Sequence, residues 1–100
     1  MGHAEAKVED YLVARVKETG GKIRKCKWIG RDGAPDRLVW WRFPIVAFVE
    51  TKSAVGWLEH SQKREFKRLQ DDGWPVFTVH TREQVDNFVK VMLAKGADLL

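Results

Sequence analysis

Five polar residues break apolar patterns in this 100-residue chain: Glu9, Asp36, Glu50, Lys52 and Gln62. Glu9 stands three and four residues before Leu12 and Val13, on the inward stripe of a helical segment. Asp36 follows Pro35 and shares a strand face with Leu38 and Trp40, while Glu50 and Lys52 continue the face of Val46 and Phe48. Gln62 lies midway between Leu58 and Phe66 on the inner side of a second helical segment. Burying a charge is costly unless it is paired or coordinated, so this many inward polar groups ask for a shared reason. Carboxylates at the ends of adjacent strands, with a third from Glu9, repel one another without a cation. They offer hard oxygen ligands suited to Mg²⁺ or Mn²⁺, and the backbone carbonyl of Thr51 can add another oxygen. Lys52 emerges on the same side, where it can hold a water or offset charge developing on a phosphate. That is the chemistry of phosphodiester hydrolysis. The plainer account makes Glu50 and Lys52 a surface ion pair and Asp36 a turn cap; the Pro-Asp, the inward Glu9 and Gln62 together weigh against it.

The elements that must position these groups follow from pattern. Residues 5–18 place Val8, Leu12, Val13 and Val16 on one helical face, and Gly20-Gly21 closes the helix. Residues 22–29 have a strand-like mixture with poor alternation, and residues 30–35 form a loop by their glycines and proline. Strands are expected over 36–41 and 45–52, the run from Ile45 to Val49 suggesting a strand covered on both faces. A loop over 53–57 leads to a helix over 59–72 and a short strand over 75–80. Thr81-x-x-Gln84 is a capping box for a last helix whose buried stripe is Val85, Phe88, Val89, Met92 and Leu93. The order αβββαβα predicts a single α/β domain, residues 1–100, with a mixed sheet flanked by helices and residues 1–3 read as an appended remnant.

Composition narrows the class. With 44% apolar and 32% charged residues the chain can build a core, which excludes intrinsic disorder. No apolar run approaches the roughly 18–20 residues of a membrane span. There is no secretory pattern, so the expected setting is cytoplasmic, with no membrane partner and no small-molecule cofactor. One cysteine, Cys26, excludes an internal disulfide. The net charge of +4 is concentrated in Lys22, Arg24, Lys25, Lys27, Arg31 and Arg37. This is either a solvated strand or an edge that contacts phosphates, to which His60 can add one contact. Trp40, Trp41, Phe43 and Ile45 gather at the expected hairpin, an aromatic patch of the kind that marks an interface. Trp57, between Lys52 and Gln62, can stack on a splayed base or pack against the second helix.

Pro35-Asp36 followed by a hairpin and Glu50-Thr51-Lys52 resembles the PD-(D/E)xK nuclease superfamily. The finer pattern resembles its virus-type replication-repair nuclease (VRR-NUC) branch, in five ordered blocks over residues 5–90: Val8-Glu9-Asp10-Tyr11-Leu12 with Gly20-Gly21; Gly30-x-x-Gly33-x-Pro35-Asp36-Arg37-Leu38-Val39; Phe48-Val49-Glu50-Thr51-Lys52; Gly56-x-Leu58-x-x-x-Gln62; and Leu69-x-x-x-Gly73-x-Pro75-Val76. The resemblance implies a restriction-endonuclease-like core and a site binding Mg²⁺ or Mn²⁺ through Glu9, Asp36 and Glu50, completed by Lys52 and Gln62. Glu5, one turn before Glu9, is the rival for the first-helix role. It further implies a homodimer acting on DNA, in particular four-way (Holliday) junctions, with flap or duplex cleavage as a near variant. A silent DNA-binding module is the alternative from another class, and the full set of inward charges argues against it. Arg24, Lys25, Lys27, Arg31, Arg37 and His60 are the expected DNA contacts.

Overall fold

The computed structural model describes residues 2–53 and 55–99, with the backbone alone for residues 2 and 3; Met1, Ala54 within the expected 53–57 loop, and Leu100 lie outside it. Helix α1 (Gly2–Glu18) leads into strands β1 (Lys22–Lys25), β2 (Arg37–Trp40) and β3 (Val46–Thr51), followed by α2 (His60–Asp71), β4 (Val76–Val79) and α3 (Arg82–Leu99). The strands lie in the order β1-β2-β3-β4, the first three antiparallel and β4 parallel to β3. This is the α/β, mixed-sheet architecture and element order that the sequence pattern predicts. β1 is shorter than expected: after Lys25 the chain leaves the ladder, and the Trp28 indole donates to the Pro35 carbonyl at 2.7 Å.

Strand alternation divides the sheet into two unlike faces. Ile23, Val39, Trp41, Ala47, Val49 and Val79 turn to one side, where they pack with Val8, Leu12 and Val16 of α1 and Val85, Phe88, Val89 and Met92 of α3. Leu93, expected in that stripe, is 37% exposed. One turn on, Gly96 takes the inward place because Phe43 lies over it; a Cβ there would meet the ring at 2.1 Å. The opposite face carries Leu38, Trp40, Val46, Phe48 and Val76, all half-buried, and α2 crosses it. β3 is therefore fully closed on one side and partly covered on the other.

The hairpin aromatics do not form an exposed patch. Trp41 is 6% exposed, stacks between Phe43 and Phe88 at 5.9 Å each, and donates its indole hydrogen to Thr19 Oγ1 at 3.0 Å. Phe43 and Ile45 pack against the core, and Arg24 lies over the half-buried Trp40. A chain of this size buries aromatics first in its own core, and the exposed aromatic patch expected at this hairpin is absent. No described helix is long and apolar enough to cross a membrane.

Candidate functional site

Asp36 immediately precedes β2 and stands one step beyond the Arg37–Val49 pair of the antiparallel ladder, beside Glu50 on the α2-covered face. Backbone register thus brings two carboxylates together. Lys52, two residues past Glu50 on the same face, places its Nζ 3.7 Å from Glu50 Oε2. From α2, Gln62 Nε2 donates to the same oxygen at 3.4 Å, while Gln62 Oε1 accepts the Glu59 backbone N–H at 2.9 Å. One side chain therefore makes the N3 half of a capping box, on the Glu59 amide, and reaches the site. Gly33 makes the approach of the loop possible. Its φ is +80°, and a Cβ would fall 2.5–2.7 Å from the Ser61 and Gln62 backbone.

At Glu50, burial and a neighbouring carboxylate outweigh the one nearby cation, Lys52. Burial first, and then the Asp36 charge, push the Glu50 carboxyl up to about 7 against the opposite pull of Lys52 and the Asp36 backbone amide. Asp36 Oδ1 is buried with no hydrogen-bond partner. A buried, unpartnered carboxylate oxygen beside a second carboxylate suits a hard divalent cation. Among the described residues no three carboxylate, histidine or cysteine side chains come together as a metal-binding group. One or two carboxylates completed by water and substrate phosphate is nonetheless the donor set Mg²⁺ commonly takes.

Two sequence expectations change at the first helix. Glu9 turns its carboxylate to Arg37, forming an ion pair in which the side chains are 24% and 15% exposed. Arg37 is an odd-numbered position of β2, so it faces α1 rather than the site. Glu9 is thereby drawn from the carboxylate set, and Arg37 from the surface where DNA could reach it. Glu5, one turn earlier, lines a cavity with Lys52 and is close enough for its charge to raise Glu50. Strand alternation already placed residues 37 and 36 on opposite faces, a signal that the charge count alone ignored.

The remaining basic candidates, Arg24, Lys25, Lys27, Arg31 and His60, are all exposed. The sequence reading passed over a second group. His60, Lys63, Arg64 and Lys67 recur at the i, i+3, i+4, i+7 spacing of one helical face of α2, and all four are exposed. The stripe starts on the turn that holds Gln62. Trp57 does not pack against α2; it is 77% exposed.

No family model matches the sequence, and no curated protein does. Solved structures match it well. A VRR_NUC domain is 35% identical, with 87% of this chain and 95% of that one covered and a TM-score of 0.80. A second structure, a VRR_NUC domain protein, is 14% identical, with 93% of this chain and 90% of that one covered and a TM-score of 0.73; it shares the fold. With identity of that order across most of both chains, and the Pro-Asp and Glu-x-Lys strands meeting on one sheet face, the chain belongs to the VRR-NUC domain family.

Proposed function

We propose that the domain is an Mg²⁺- or Mn²⁺-dependent endonuclease that hydrolyses DNA phosphodiesters, its preferred substrate a four-way junction cut by a pair of copies. The family and fold support a nuclease of the PD-(D/E)xK type. The observation that carries the reading is the meeting of Asp36, Glu50, Lys52 and Gln62 at the edge between β2, β3 and α2, with Asp36 Oδ1 left without a partner. Asp36, Glu50 and the Thr51 carbonyl would hold the cation, with Glu5 taking the first-helix place. Once bound, the cation would supply Lewis acidity toward the phosphate and make its water a stronger nucleophile. Gln62 fixes the orientation of the Glu50 carboxylate through its own double hydrogen bond. The Lys52 ammonium donates a hydrogen bond to the attacking water and offsets negative charge gathering on the phosphate. Arg24, Lys25, Lys27, Arg31 and His60, with the α2 stripe, supply backbone contacts.

Junction resolution requires two opposed cuts, and one chain carries one such cluster, so two copies related by a two-fold axis match the approximate symmetry of a four-way junction. The test is a cleavage panel of four-way, flap, splayed and linear duplex DNA with Mg²⁺ or Mn²⁺, run beside sedimentation with and without junction DNA. The expected result is paired symmetric incisions in the four-way substrate by a species of twice the 11.6 kDa chain mass. No cleavage with either metal would refute the nuclease reading. Symmetric cleavage by a single copy would refute the pairing.

A further inference from the structure

Beside Lys52 opens a cavity of about 320 Å³, walled by Glu5 of α1, by Ser53, Val55, Gly56 and Trp57 of the loop after β3, and by Glu59. Two of its walls are large apolar side chains left in water, Val55 at 81% and Trp57 at 77% exposure. The other tryptophans are engaged. Trp28 and Trp74 pack on Phe48, Trp40 lies under Arg24, and Trp41 is buried in the core. Among the described residues, Trp57 is the one tryptophan with no ring partner, no guanidinium over its face and no indole hydrogen bond. The loop that presents it is anchored at its base: Ser53 is buried, its carbonyl accepts from His80 Nδ1 at 2.9 Å, and the Gly56 N–H returns to the same carbonyl at 3.0 Å.

The charge of the lining selects the occupant. Glu5 and Glu59 in the lining repel a phosphate, whereas Lys52, which the cavity shares with the carboxylate site, attracts one. A flat, uncharged ring carrying amino donors fits between an indole face and carboxylate acceptors, and a nucleobase is such a ring. We propose that this cavity receives one unpaired nucleobase, stacked on Trp57, while the adjoining phosphate rests at Lys52. The inference rests on the nuclease reading and deepens it: the substrate class is DNA whose strand has left the duplex next to the cut. A paired base cannot enter without being extruded, which costs unstacking energy that a flap or splayed end has already spent and that a four-way junction would have to spend at its branch point.

The test pairs splayed and fully paired DNA of identical sequence around the cut. Stacking on an aromatic side chain contributes enough per base that Trp57→Ala should lower the ratio of splayed to paired cleavage by about tenfold or more. Trp57→Phe should keep most of the ratio. A second readout needs no turnover: 2-aminopurine at the unpaired position flanking the cut should change emission on binding wild type and not on binding Trp57→Ala. An unchanged ratio, or an emission change that survives in Trp57→Ala, would overturn the proposal. If wild type cleaves neither DNA, the nuclease reading fails, and the emission experiment still decides whether the base is held.

Discussion

The two faces of the sheet are made by the same strands and obey opposite rules. Toward α1 and α3, residues 39, 41, 47, 49 and 79 are apolar and buried, and the charged pair to which that face of the sheet contributes, Glu9 with Arg37, leaves only Arg37 Nε without a partner. Toward α2, the same strands end in Asp36, Glu50 and Lys52, and aromatic side chains stay half-exposed. The closed face supplies stability through area removed from water. The open face gives some of it back, since a buried unpartnered carboxylate oxygen favours unfolding. Alternation sets the carboxylate site on one face and most of the apolar burial that offsets it on the other.

Substitutions that separate the faces should show it. Asp36→Ala, Glu50→Ala and Lys52→Ala should each reduce DNA cleavage by at least ~10²–10³-fold. Urea unfolding of the metal-free Asp36→Ala protein should match or exceed wild type, and a clear loss would mean the open face also holds the fold together. On the closed face, Phe88→Ala should remove about 3–5 kcal/mol of stability in the same measurement. Its cleavage rate should be nearly normal at temperatures where it is folded. At the boundary between the faces, Glu5→Ala should lower cleavage roughly 10- to 100-fold, an effect of outer-ligand size. Glu9→Ala should act mainly on stability by releasing Arg37, and the reverse ranking would return Glu9 to the site.

The smallest effect concerns protons. Glu50 titrates near 7 when folded and near its ordinary value of 4.5 when unfolded. Between those values the unfolded chain gives up a proton that the folded one keeps. The stabilising contribution is whole below about 4.5 and is lost as pH rises through 7. Melting temperatures taken in a chelator from pH 4 to 8 should show that decline, and Glu50→Gln should flatten it.

How much was legible beforehand depended on the kind of signal. The periodicities of Val8-Leu12-Val16 and Val85-Phe88-Val89-Met92 marked core helices directly, because period and burial are the same information. Pro-Asp and Glu-x-Lys marked three of the four gathered polar groups, and the inward place of Gln62 on its helix marked the fourth. Tertiary choices were less visible. Glu5 and Glu9 occupy successive turns of one helix, and only the position of Arg37 across the core decides which is engaged. Trp41 looked like surplus surface because its hydrogen-bond partner, Thr19, lies 22 residues away. Lys63 and Arg64 carry no signal of their own in the sequence; their nearness to the site follows only from Gln62, which ties their helix to Glu50.

Gln62 also gives the site a clock. Helix ends open far more often than whole domains, because only a turn's worth of contacts must break. Here the first turn of α2 is closed by the Glu59 amide on Gln62, the same side chain that steadies Glu50. Fraying of that turn would therefore dismantle the polar cluster while the sheet stays whole. Gly33 lies against the backbone of Ser61 and Gln62, so the 30–36 loop must give way in the same event. Exchange of the Glu59 amide proton with solvent would then count how often the cluster comes apart, at a free energy well below that of global unfolding.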